Sequence, residues 1–273
     1  MNRNNNEINN DYSININGAI AAISKFAQVL SETYNKIQMP KIEIYSDVLL
    51  GTSYIMALRE LKYPLFLETD MNFKREIVGH KNNSNDIKNI IIEYINDDYL
   101  NNMLKQWHSS GYINKERLPI FEEAIELHRK KYYYASTSMM MCQVYGVIMD
   151  INRYIYKNDI EIDDESKVKL ANKYNMTNID SEKGKFIQMA YITDLGYVIK
   201  EVIVEYIKDE ILSSSESVKR WESQPLRNKI CHGDQLNYGT KEHSLKAILC
   251  INLLVKLGEY IKIVVDGICE NEK

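Results

Sequence analysis

In this chain, apolar residues return every third and fourth position over one long segment after another, with almost no residue that would stop a helix. Ile20, Ile23, Ala27, Leu30, Tyr34 and Ile37 form one such stripe, ending before Pro40. Ile87, Ile90, Ile91, Tyr94 and Ile95 form a second, which continues towards Trp107. Four prolines and eleven glycines in 273 residues leave too little turn chemistry for a many-stranded sheet. An apolar fraction of 45% can fill a core of this size. The spacing therefore predicts an all-α fold, an antiparallel helical bundle with an additional, mainly helical N-terminal region.

The Asn-rich stretch 1–16 lacks the apolar core of a secretory signal and reads as a disordered lead-in. A mainly helical region at 17–113 follows it. Within that region, residues 41–83 fit a helix or a strand followed by a helix, and periodicity does not decide between them. The polar segment HSSGYINKERLP at 108–119 marks the boundary to a C-terminal bundle at 114–273. There, Pro119 suits the first turn of a helix whose Phe121, Ala124, Ile125 and His128 share a face. Met140, Val144, Ile148 and Ile151 keep the period in the next helix. Ser181 can cap a long helix running through Ile192, Leu195, Ile199, Val202, Tyr206 and Ile207. A last helix begins after Thr240 and carries Leu245, Ile248, Leu249, Leu253 and Leu257.

No apolar run is long enough to span a bilayer, and the four cysteines are scattered without a CxxC pair. A reduced, cytoplasmic protein with no membrane segment is expected. The net charge of −4 excludes a broad basic face, so contact with nucleic acid would need a local cation cluster. The chain contains no GxxxxGK loop, no GxSxG elbow and no HExxH. Acidic pairs at Asp97–Asp98 and Asp163–Asp164 sit where helix starts are expected, so capping explains them better than a metal.

One short stretch carries chemistry. Pro225 preorganises a helix at Arg227–His232, and Gly233 stops it. Asn228 and His232, four residues apart, fall on one side, with Arg227 at its edge. A helix end with a guanidinium, an amide and an imidazole suits cleavage of RNA through its own 2′-hydroxyl. Histidine can move the protons, contributing a factor of about 10²–10⁴, and arginine can hold phosphate oxygens through its planar fork. Lys219, Arg220 and Lys229 lie near this stretch. Arg129 and Lys130 stand in HRKKYYY at 128–134, where cations alternate with aromatics as in contacts to single-stranded RNA. A solvated helix end is the other reading of these cations, and His128 reads as a residue at the edge of the core. Glu242 and His243 can approach the stretch from the last helix, or simply belong to a polar helix start.

RNKICH resembles the R-x4-H signature of the HEPN superfamily, and the resemblance extends over roughly residues 115–265. It implies a helical bundle, a homodimer with two motifs in one composite cleft, and metal-independent endoribonuclease activity that leaves a 2′,3′-cyclic phosphate. On it, Arg227 and His232 are the catalytic pair and Asn228 supports them, with no metal and no cofactor. It further implies a toxin or phage-defence role, with a trigger or regulatory partner. A catalytically inactive HEPN-like module that binds RNA, nucleotide or a protein is the alternative. The chain has Asp234 where one branch of the superfamily carries a modifiable tyrosine, so nucleotidylation there is not expected.

Overall fold

The computed structural model describes Lys25, residues 43–214 and residues 217–271. The stretch 1–16 and the stripe residues from Ile20 to Ile37 lie outside the described residues. The described residues form twelve α-helices packed together and no strand. In chain order these are α1 (Glu43–Glu60), α2 (Met71–Gly79), α3 (Ser84–Tyr94), α4 (Asp97–Ser109), α5 (Leu118–Arg129), α6 (Tyr133–Lys157), α7 (Asp164–Lys173), α8 (Glu182–Ile192), α9 (Tyr197–Glu205), α10 (Val218–Ser223), α11 (Arg227–Cys231) and α12 (Lys241–Asn271). No helix among the described residues is long and apolar enough to cross a membrane.

α6 and α12 pack along each other at the centre, with α5 against α6. Each buries the stripe that its spacing demands. Phe121, Ala124 and Ile125 of α5, Met140, Val144, Ile148 and Ile151 of α6, and Leu245, Ile248, Leu253 and Leu257 of α12 are all inaccessible or nearly so. Burial of one such aliphatic side chain contributes about 1.5–3 kcal/mol. Pro119 occupies the first turn of α5, where its missing N–H costs nothing.

The segment 41–83, ambiguous from periodicity, contains α1 and α2 joined by an irregular stretch. Two expected long helices are broken. Between α3 and α4, Asn96 turns its side chain back to accept a 3.0 Å bond from the Tyr99 amide, and Asp97 and Asp98 favour a new start there. Between α8 and α9, Thr193 adopts an extended backbone and its hydroxyl donates to the Ala190 carbonyl at 2.8 Å. Both breaks arise where a short polar side chain satisfies the backbone locally, which helical spacing alone does not register.

The helices on either side of the 108–119 connector share α12 as their support. The Trp107 indole donates to Asn252 at 3.0 Å, and the Tyr112 hydroxyl donates to the Val255 carbonyl at 2.6 Å. Lys246 of α12 is fully buried. Its ammonium donates to the carbonyls of Ser223 at 2.8 Å and Leu61 at 3.4 Å, pairs with Glu242 at 3.0 Å and lies over the Tyr63 ring. A single cation thereby caps the ends of α1 and α10, the latter leading directly into the Arg227 segment. Burial lowers its pKa to about 8.

Candidate functional site

The Arg227–His232 segment is a short surface helix held between two turns. Leu226 precedes α11 without a capping side chain of its own. Gln235, fully buried, supplies the missing partner: its Oε1 accepts from the Leu226 amide at 2.9 Å. The same amide group donates to the carbonyls of Trp221 at 2.8 Å and Gln224 at 2.9 Å. One side chain beyond the helix thus fixes the segment before it. At the other end His232 is the C-cap, and Gly233 takes φ +80°, a left-handed conformation that costs glycine little. The amides of Asp234 and Gln235 both return to the Lys229 carbonyl, closing the helix end.

Arg227 is half-buried. Its Nη1 donates to Asn228 Oδ1 at 2.8 Å and pairs with Glu182 Oε2 at 3.4 Å, while its Nε is buried without a partner. Its Nη2 has no bond among the described residues, and the side chain as a whole is 21% exposed. Asn228 uses both ends of its amide: Oδ1 takes Arg227, and Nδ2 donates to the Leu212 carbonyl at 3.3 Å. Leu212 ends a π-helical turn, Tyr206–Ile211, that continues α9. Asn228 is accordingly a brace that orients Arg227 and moors α11 to that turn.

His232 is exposed, and its ring has no hydrogen-bond or ion-pair partner among the described residues. The structure places it one helical turn beyond Asn228, with its own amide bonded to the Asn228 carbonyl at 3.1 Å. Glu182, at the start of α8, is a member of this site that spacing did not identify. Burial holds its carboxyl above the ordinary range, against the opposing pull of Arg227 and Lys183. The only signal in the sequence is its place after the capping Ser181, which reads equally as a first-turn acid. Cys231 is another: its Sγ lies 3.4 Å from that of Cys142 on α6. Burial and the neighbouring thiol push the Cys231 pKa up to about 11.

The remaining cations divide. Lys229 pairs with Asp234 at 3.2 Å, beside the helix end. Lys219 is exposed on α10. Arg220 is engaged inward, donating to the Asp209 carbonyl at 2.9 Å and to Ser213 at 3.1 Å. Arg129 is bound to Asp97, Asn101 and Glu126, which ties α5 to α4. Lys130 is exposed just after α5. His128 is buried against Ser244, and Glu242 and His243 are turned into the interior, Glu242 towards Lys88 and Lys246. Asp163 caps α7 by accepting from the Ser166 amide at 2.8 Å. No protein-family model, curated protein or solved structure matches the chain.

Proposed function

We propose that the protein is a metal-independent endoribonuclease in which Arg227 and His232 act on the phosphodiester. The observation that carries this reading is the pairing within one short helix: an exposed imidazole at His232 and, one turn earlier, a partly exposed guanidinium braced through Asn228, with no bond at Nη2. The substrate's 2′-oxygen attacks phosphorus, its proton is taken up, and the 5′-oxygen leaves with a proton, giving a 2′,3′-cyclic phosphate. His232 transfers one of these protons; Arg227 neutralises the phosphate oxygens, and Asn228 positions Arg227. In the composite cleft that the HEPN resemblance implies, a second copy supplies the second histidine. Exposed Tyr134, whose ring meets Tyr238 just beyond the motif, and Leu236, 74% exposed, are suited to such a contact. The same resemblance extends the reading to RNA-directed toxicity or phage defence in the cytoplasm.

One observation favours a second reading. Glu182 and Asn228 already occupy Nη1 of Arg227, as they would in a bundle that binds RNA or a partner without cutting it. Arg227→Lys separates the two. It keeps the charge but loses the fork, so a nuclease should lose cleavage by about 100-fold or more while retaining RNA. RNA retention by the wild type with no cut product would favour the binding module.

A further inference from the structure

A cavity of about 390 Å³ opens between α7, α8 and α9, within the range of about 300–1,000 Å³ typical of small-molecule sites. Its floor is apolar, formed by Leu170, Ile187, Ala190 and Val204. Tyr191 and Tyr197, 51% and 42% exposed, stand at its rim, where planar faces are available for stacking.

The charges at the cavity are unevenly matched. Glu201 is buried: its Oε1 holds the Lys173 ammonium and accepts from the Tyr174 hydroxyl at 2.7 Å, while Oε2 has no hydrogen bond among the described residues. Lys173 also lies 4.8 Å from the ring centres of Tyr174 and Tyr197. Lys169 pairs with Glu165 at 2.6 Å. Lys200 is different. Half-buried, it donates only to the Tyr191 carbonyl at 3.3 Å and has no carboxylate ion pair among the described residues. The exposed Asp194 acts on Lys200 only at a distance, so the wall offers one cation with no carboxylate in contact, next to an apolar, aromatic-rimmed space.

We infer that this cavity binds a small organic anion, a planar aromatic body seated between Ala190 and the tyrosines with one anionic group on Lys200. No residue of the Arg227–His232 segment lines it, so the inference is independent of the ribonuclease reading.

The test uses the full chain and two fluorescent probes: 1-anilinonaphthalene-8-sulfonate, an aromatic anion, and N-phenyl-1-naphthylamine, its uncharged counterpart. The sulfonate is expected to saturate a single site. Lys200→Glu should weaken it by about tenfold, leaving the neutral probe within about twofold. Ala190→Leu, which fills the floor, should weaken both. Near-UV circular dichroism checks the fold of each variant; Lys200 is at the rim, so Lys200→Glu decides the question even if Ala190→Leu does not fold. Binding that does not saturate, sulfonate affinity unchanged in Lys200→Glu, or equal loss of both probes in that variant would overturn the proposal.

Discussion

Glu182 Oε2 lies 3.4 Å from Arg227 Nη1, so the guanidinium assigned to a phosphate already has a protein carboxylate beside it. The two residues are on helices 45 positions apart in sequence. Burial raises the Glu182 pKa, which means that the folded chain binds its proton more readily than the unfolded chain does. Stability from this group is therefore greatest at low pH and falls as pH rises through the raised value; the charged form is a cost at neutral pH. Its consequence for the site is therefore its effect on Arg227, not a gain in stability.

Glu182→Gln should accordingly leave the unfolding midpoint unchanged or slightly higher, and should tighten RNA binding. A partly exposed ion pair is worth about 0.2–1 kcal/mol, so the gain is about 1.4- to fivefold. Fluorescence anisotropy with a labelled RNA, in a His232→Ala background to prevent cutting, measures it. Weaker binding in Glu182→Gln would show that the carboxylate aims Arg227 at the phosphate and does not compete with it.

Gln235→Leu should destabilise the chain by about 3 kcal/mol, because the buried Leu226 amide and Gln224 carbonyl lose their side-chain partner and the part-buried Trp221 carbonyl loses one bond. Urea unfolding followed by circular dichroism reads the loss. A change below about 0.5 kcal/mol would mean that this glutamine does not hold the motif segment.

His128 supplies an acid-sensitive element. Its Nδ1 lies 2.7 Å from the Ser244 hydroxyl, which donates to Ser136 at 2.9 Å, and burial lowers its pKa to about 4. Lys241 and Arg129 add to the lowering, and Asp97 opposes it. The unfolded value is near 6.5, so its contribution is complete above that pH and is lost as pH falls towards 4. The loss is on the order of 3 kcal/mol. His128→Gln should flatten the stability profile between pH 6.5 and 4; an unchanged slope would contradict the burial of a neutral imidazole.

Cys142 and Cys231, 89 residues apart, bring their sulfurs within 3.4 Å. Diamide should oxidise them to a disulfide, its N=N bond taking up the two hydrogens, with the loss of two free thiols in the wild type and no such pair in Cys142→Ser. The reaction should be slow at neutral pH and faster in alkali, since the Cys231 thiol titrates near 11. No cross-link at pH 9 would place the sulfurs farther apart.

Much of the scaffold was legible in the sequence, because a helix that buries one face must repeat every three to four residues. Phe121, Met140 and Leu253 all lie where that rule places them. Pro119, Gly233 and the capping Ser181 were legible for a related reason: each has a conformation or side chain suited to one point in a helix. The breaks at Asn96 and Thr193 were not, since a polar residue within a periodic run need not interrupt it. At the proposed site, Arg227, Asn228 and His232 could be singled out because they are close together in the sequence. Glu182, the Leu212 carbonyl and Cys142 depend on how distant helices pack, and nothing in their own neighbourhoods marks them.

Incubation of the wild type and His232→Ala with mixed RNA in EDTA, with product ends identified and both folds checked by circular dichroism, tests the central claim most directly. The account predicts cutting by the wild type alone, with 2′,3′-cyclic phosphate ends and a loss of at least about 100-fold in the variant. Equal cutting by a correctly folded His232→Ala, or cutting that EDTA abolishes, would contradict it.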